Sequence, residues 1–307
     1  MFEYMELNLG GMIIPTYAVL MAVGFLMAMV LGVALGKRKG LKPAGMWIYG
    51  GLAAVLGLLI GRGVYCAVRW DMVFVNEWGE FGSPLAFFDL WAGSINVMGV
   101  VAGVLLAAPL AALITREKAA AYLDAAVIPG LALYIFARAV EPFSGQGYGF
   151  FIDTAVSVSM IELVLTLLVL AAVIFMGKKV HRPGTLAQYA LVLWCLVQIL
   201  PESLRCDEAL YVFVFARVTH LGLAFSIGLT LIRLLVQEGK RGLDKKNIIL
   251  DLVGLALGIG LCIATIFALD KTNLPKLLVY AVMILSLVEL GFVLFRRIHQ
   301  ADIRISE

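Results

Sequence analysis

Eight side chains that could bind an anion or move a proton fall inside or at the ends of apolar runs: Arg62, Arg138, Glu162, Gln198, Glu202, Arg205, Arg217 and His220. Arginine is the natural fork for a phosphate or carboxylate, and a carboxylate beside it either orients it or neutralises it. The segment 137–149, Ala-Arg-Ala-Val-Glu-Pro-Phe-Ser-Gly-Gln-Gly-Tyr-Gly, places Arg138 about one turn before a Pro/Gly-rich exit. A guanidinium at depth in hydrocarbon costs about 2.5–3.5 kcal/mol even on insertion scales. Arg138 therefore needs a partner, and an anion is the simplest one.

The apolar runs make this a membrane problem. The 307-residue chain is 62% hydrophobic and 15% charged, with a mean hydropathy of +0.99, outside the range of soluble domains. Runs of membrane-spanning length predict nine helices, at 13–36, 46–68, 95–115, 122–140, 154–176, 185–204, 210–235, 248–269 and 277–295. The expected fold is an all-α polytopic membrane protein with a seven-helix core over 1–236. A basic linker (237–246), a further two-helix hairpin (247–296) and a tail (297–307) follow it. Of the 24 Lys and Arg residues, sixteen fall in the alternate loops and tail that are inside if the N-terminus is outside; Arg69, Arg205, Lys271 and Lys276 fall on the other side. The positive-inside rule then puts the C-terminus in the cytoplasm. The net charge of +3 reflects this topology, and no nucleic-acid partner follows from it. Glu3 and Glu6 replace the basic start of a cleavable signal peptide, so the first helix is expected to be retained.

In that orientation all eight polar residues fall in the outer half of the bilayer, on five helices. This implies a cationic cavity open to the outer leaflet that would take the phosphate of an anionic lipid. Each residue also has a plainer reading. Tyr17 suits an interfacial aromatic belt. Glu162 is either a functional carboxylate or the counter-ion of a structural arginine. Glu202 and Arg205, three apart on one helical face, could be a surface pair, and His220 a satisfied core histidine. Arg62 is flanked by Gly61 and Gly63, small residues that let another backbone approach. Asp124 reads as an interfacial residue beside Arg116 and Lys118. The segment 69–94, with Trp70, Phe74, Trp78, Phe81 and Trp91, should lie along the headgroups, as a flap or as an ordinary belt loop. The last two helices hold Asp251 and Glu289 and either pack on the core or form an interaction surface. The four cysteines have no metal spacing; Cys66 and Cys206 are near enough in depth to pair, but isolated buried thiols are the simpler reading. No nucleotide loop, haem pair or zinc set occurs, so no cofactor is expected.

These residues resemble those of the prolipoprotein diacylglyceryl transferases of bacterial inner membranes. Tyr17 with Ala-Val-Leu and Gly24-Phe25 is similar to that family's first-helix Tyr-Gly-Leu-Met stretch, and Gly61-Arg62 with Tyr65 to its Gly-Ala-Arg motif and following tyrosine. Trp91, Gly93 and Gly99 follow the spacing of its Trp-x-Gly-Gly and His-Gly-Gly stretch. Asp124, Arg138, Gly145, Tyr148 and Gly149 keep the spacing of its signature, and Glu162 stands where a Tyr-Glu pair is expected. Glu202, Arg205 and Asp207 match its sixth-helix end with one residue of slack. The likeness covers about residues 13–236. It implies transfer of a diacylglyceryl group from phosphatidylglycerol to a cysteine thiol of a prolipoprotein signal peptide or another thiol acceptor, with glycerol phosphate leaving. Arg138 would clamp the phosphate, Arg62 and Arg205 would support it, and Glu202 and Glu162 would orient them. Tyr17, Asn96, Glu141, Gly145, Gln146, Tyr148, Gly149 and Gln198 would line the substrate. The chain departs from the pattern where the family's histidine becomes Met98, its asparagine Glu141, its glutamate Gln146 and an arginine Gln198. His220 is the residue that could supply the missing base. The competing expectations are a non-catalytic relative that binds anionic lipid or lipoprotein, and a transporter. Against the transporter stands the absence of paired, broken helices in two related halves.

Overall fold

The computed structural model describes residues 6–10, 12–75, 79–89, 94–152, 154–206, 210–212, 216–239 and 245–303. Trp78, Trp91, Gly93, Asp207 and residues 240–244 of the basic linker lie outside the described residues. The chain opens with a short antiparallel hairpin, β1 (Glu6–Leu9) and β2 (Met12–Pro15), with Glu6 opposite Pro15. There follow α1 (Thr16–Arg38), α2 (Pro43–Val68), a short α3 (Trp70–Phe74), α4 (Val97–Thr115) and α5 (Ala119–Val140). A second hairpin, β3 (Tyr148–Phe151) and β4 (Thr154–Ser157), leads into α6 (Val158–Met176), α7 (Thr185–Leu204), α8 (Val218–Gly239), α9 (Lys245–Lys271) and α10 (Lys276–Ile303). Among the described residues nine helices, all but α3, are long and apolar enough to cross a membrane. Large apolar side chains such as Leu26, Met27, Val30, Leu113, Leu168, Phe225 and Leu285 point outward, as lipid-facing positions do. The protein is an all-α polytopic membrane protein. Both hairpins lie at one end of the bundle, the sheet end; the short loops rich in Lys and Arg lie at the other, the basic end.

Three expected helices start late. Residues 13–15 and 154–157 form strands, and α8 begins at Val218 and not at 210. The run before it, Leu-Tyr-Val-Phe-Val-Phe-Ala, is apolar and rich in β-branched and aromatic residues, a composition that hydrophobicity alone cannot assign to helix or extended chain. Its described ends pair with each other: Val218 N donates to Leu210 O at 2.9 Å and Val212 N to Ala216 O at 3.0 Å, and Tyr211 bridges Arg217. The expected tail is helical as far as it is described, because α10 runs on to Ile303. There Arg297 pairs with the buried Asp251, and the Asp302 carboxylate accepts from Arg182 N at 3.0 Å.

The core centres on α7, whose Tyr189, Val192, Cys195 and Ile199 are enclosed by Leu223, Ile227 and Leu231 of α8 and by Met283, Leu290 and Leu294 of α10. Of the two readings of the last hairpin, the structure takes the packed one: α10 is a wall of the main core. Asp124 does not pair with Arg116 or Lys118. It is buried, and its carboxylate accepts from Gly184 N (2.7 Å) and Ala187 N (2.9 Å), the first amides of α7. A helix start leaves such donors unsatisfied, and an anion there also meets the positive end of the dipole. All four cysteines are free, and Cys206 is exposed where burial was expected.

α2 and α4 pack backbone to backbone. Gly57 and Gly61 face Gly103 and Gly99, so that a Cβ on Gly99 would stand 2.6 Å from the Cα of Gly61, and one on Gly103 2.6 Å from the Cα of Gly57. Neither neighbour is a flexible side chain that could swing aside. Gly103→Leu must therefore separate the two helices, at a cost of about 1–3 kcal/mol or more. A clearly lowered midpoint of thermal unfolding in detergent, with Gly260→Leu on the open face of α9 unchanged, is the expected result.

Candidate functional site

The sheet end of α5, α6 and α7 is where the polar residues collect, and the glycine run brings them there. After Val140 a single 3-10 turn, Glu141–Phe143, holds Glu141 under the helix. Gly145 and Gly147 then take positive φ of 74° and 89°, a region that a Cβ disfavours, and steer the chain into β3. Gly149 bridges Arg205 so closely that a Cβ there would stand 2.7 Å from the carbonyl carbon of Leu204. Cys206 N donates to Tyr148 O at 3.2 Å. Since α7 ends at Leu204 and Arg205 is extended (φ −60°, ψ 140°), its guanidinium swings away from the helix toward α5 and α6.

Two arginines and two glutamates interlock as a result. Arg138 Nη1 donates to Glu141 Oε1 at 2.6 Å, and Arg138 Nε lies 2.8 Å from Glu162 Oε2. Arg205 Nε reaches Glu162 Oε1 at 3.0 Å while its terminal nitrogens reach both oxygens of Glu141 at 3.0 Å. Tyr134 OH donates to Glu162 at 2.9 Å and lies 3.1 Å from Gln198 Oε1; its ring lies 4.7 Å under the Arg138 guanidinium. Gln198 in turn donates to Thr166 Oγ1 at 3.3 Å. Burial works against the charge on Arg205, but the Glu162 and Glu141 carboxylates outweigh it and raise its pKa above the ordinary arginine value. Tyr17 is half-buried and within electrostatic reach of Arg138, Glu141 and Arg205.

Several expectations change here. The Arg138 centre is a charge-compensated lattice and not an open cationic cavity, and Glu162 is the shared counter-ion of two arginines. Glu202 and Arg205 do not pair. Glu202 Oε1 lies 3.7 Å from Arg217 Nη1, and Arg217 also donates to the backbone carbonyls of Glu202 and Arg205. Arg62 belongs to neither group. Only 1% exposed, it donates to the carbonyls of Phe87 (3.0 Å), Ser94 (3.2 Å), Ala86 (3.2 Å) and Asp89 (2.7 Å), and so staples the segment between α3 and α4 onto α2. Asn96 is the N-cap of α4, accepting from Met98 N at 2.9 Å and Gly99 N at 3.3 Å. Gln146 is half-buried, and the Tyr148 side chain is 46% exposed. Met98 is packed in the core against Gly222 of α8.

The open space lies beside the lattice. A cleft of about 430 Å³ is bounded by Arg205, Cys206, Tyr211, Arg217, Lys276 and Tyr280. A smaller chamber of about 100 Å³ shares Ser203, Tyr211, Arg217 and Asp270 with it and reaches His220. Four of these residues, Ser203, Tyr211, Asp270 and Tyr280, went unnoticed in the sequence, and Lys276 was noted only for its charge. Asp270, Lys276 and Tyr280 come from the last hairpin, and Ser203 and Tyr211 lie on either side of the end of α7, which hides their closeness to His220. Tyr134 was also missed, although its place four residues before Arg138 put it on the same helix face. Among the described residues no set of three His, Cys, Asp or Glu could hold a metal ion. A scan against protein-family models finds no match to this chain, and a search of the curated proteins finds none.

The lattice has a testable energetics. Glu162→Gln removes one of the two carboxylates that Arg138 and Arg205 share, and breaking such a buried pair from one side costs up to about 3–5 kcal/mol. Unfolding in detergent should show a loss of that order. Adding Arg205→Gln should recover part of it, a coupling that two independent surface pairs would not give.

Proposed function

We propose that this protein transfers a diacylglyceryl group from phosphatidylglycerol, or a related anionic phospholipid, to the thiol of a prolipoprotein cysteine or similar acceptor. The reaction would take place at the outer face of a bacterial inner membrane, with the sheet end outside and the basic end in the cytoplasm. One observation carries the reading: Arg205, locked by Glu141 and Glu162, stands with Arg217 and Lys276 around a cleft large enough for a phosphoglycerol headgroup. Preorganised cations at the place where charge develops are what a departing phosphate requires. The sulfur of the acceptor forms a bond to the terminal glyceryl carbon. The bond from that carbon to the phosphate oxygen breaks, its electron pair leaves on glycerol phosphate, and the thiol proton passes to a base. Arg205 and Arg217 would hold the phosphate, and Arg138 would act behind them by fixing the lattice. The resemblance over residues 13–236 supports the same chemistry.

A second reading, binding of anionic lipid without turnover, is favoured by a different observation. Arg138 is taken up by two carboxylates, and Met98, where the resembled family has its histidine, is packed into the core. Purified protein in micelles, given phosphatidylglycerol and a cysteine-bearing lipoprotein signal peptide, separates the two. Transfer predicts a diacylglyceryl mass shift on the peptide that falls at least about 100-fold in Arg205→Ala, the scale of one lost transition-state donor. No shift, with phosphatidylglycerol still co-purifying, selects lipid binding alone.

A further inference from the structure

We propose that His220 Nδ1 is the proton acceptor of this site and that Ser203 positions it by fixing the proton on the other ring nitrogen. The chemistry assigned to it rests on the transferase reading; the geometry stands by itself. Ser203 Oγ donates to the carbonyl of Ile199, one turn earlier on α7, at 2.9 Å. A serine has one hydroxyl hydrogen. With that hydrogen on the Ile199 carbonyl, the oxygen accepts from His220 Nε2, 3.3 Å away. This is the pairing we assign: it puts the ring proton on Nε2 and leaves Nδ1 a bare lone pair, the arrangement by which a hydrogen bond at one nitrogen assigns the role of the other.

That lone pair is unspent. His220 is 6% exposed and its Nδ1 is buried without a hydrogen-bond partner among the described residues. Leaving such an acceptor unsatisfied costs about 1–3 kcal/mol, and buried polar atoms are rarely left so. The ring lines the smaller chamber, with Arg217, Tyr211 and Asp270 around it, and that chamber shares Ser203, Tyr211, Arg217 and Asp270 as walls with the larger cleft. Among the described residues the charged groups that line the chamber with the ring are Arg217, before α8, and Asp270, at the end of α9. α4 and α10 contribute Met98 and Met283, which do not titrate.

In this role the acceptor's S–H proton moves to Nδ1, leaving an imidazolium with both nitrogens protonated and a thiolate beside Arg217, where a cation favours it. The sulfur then displaces the phosphate oxygen from carbon, and the Nδ1 proton passes to the departing phosphate or to water.

The test uses the full chain labelled with nitrogen-15 histidine in micelles; it has three histidines, and the His220 signals are those lost in His220→Gln. The expected spectrum has Nε2 protonated and Nδ1 bare, with mixed tautomers in Ser203→Ala and the single form restored in Ser203→Thr. A protonated Nδ1 in the wild type overturns the proposal. Transfer should fall about 100-fold or more in His220→Gln with phosphatidylglycerol binding unchanged, and should be kept within about threefold in Ser203→Thr; full transfer in His220→Gln overturns the proposal and leaves the transferase reading standing. If the wild type gives no transfer, the transferase reading fails. The proposal is then decided by whether a cysteine-bearing peptide shifts the Nδ1 resonance while its serine analogue does not; no such difference overturns it.

Discussion

The sheet end of this protein depends on one constraint: two guanidiniums largely withdrawn from water in an apolar bundle must be compensated, and Glu141 and Glu162 each contact both. Charges in such a place interact far more strongly than in water, and removing either sign alone leaves an uncompensated ion. Glu162 holds Arg138 and Arg205 at once, and so does Glu141. Four side chains from α5, the turn after it, α6 and the end of α7 are thereby fixed relative to one another. Tyr134, Gln198 and Thr166 extend the network inward, so that little in it is free to move without breaking a hydrogen bond. An arrangement of that kind gives positional precision more than stability, because desolvation consumes most of the attraction.

Position is what the neighbouring cleft uses. Arg205 belongs to both structures, its nitrogens in the lattice and its side chain on the wall of the cavity. Arg217 ties the two strands of the α7–α8 connection together through the carbonyls of Glu202 and Arg205, and it too faces the space. The last hairpin closes the far side. α10 is part of the central core, and its first residue, Lys276, reaches the cleft. The two helices that the family resemblance leaves out are therefore structural partners of the region it covers.

Arg62 and Arg138 show why equal signals in a sequence have unequal outcomes. Both are arginines near the sheet end of an apolar helix, next to small residues. Arg62 spends its donors on backbone carbonyls of one segment, which satisfies a loop that would otherwise carry unpaired acceptors into the bundle. Arg138 meets carboxylates. The difference lies in which chain segment folds back over each, and that is a long-range property. Asp124 makes the same point at the basic end: its nearest bases in sequence, Arg116 and Lys118, are not its partners, and the start of α7, sixty residues away, is.

Composition and hydrophobic run length by themselves determined the class of fold, the nine spans and most of their ends, because a bilayer imposes a fixed apolar length on any helix that crosses it. They also picked out the residues that matter, since a charge in such a run is costly wherever it is placed. Tertiary structure decided the pairings. Glu202 went to Arg217 and not to Arg205 because the helix stops one residue short of Arg205. The ends of the run 210–217 pair with each other across a reversal, an outcome that hydrophobicity, fitting helix and strand equally, leaves open. His220 came to rest on Ser203 only because that reversal returns α8 alongside the end of α7. Periodicity is a local property of the chain, but these contacts join residues that the fold alone brings within hydrogen-bond distance.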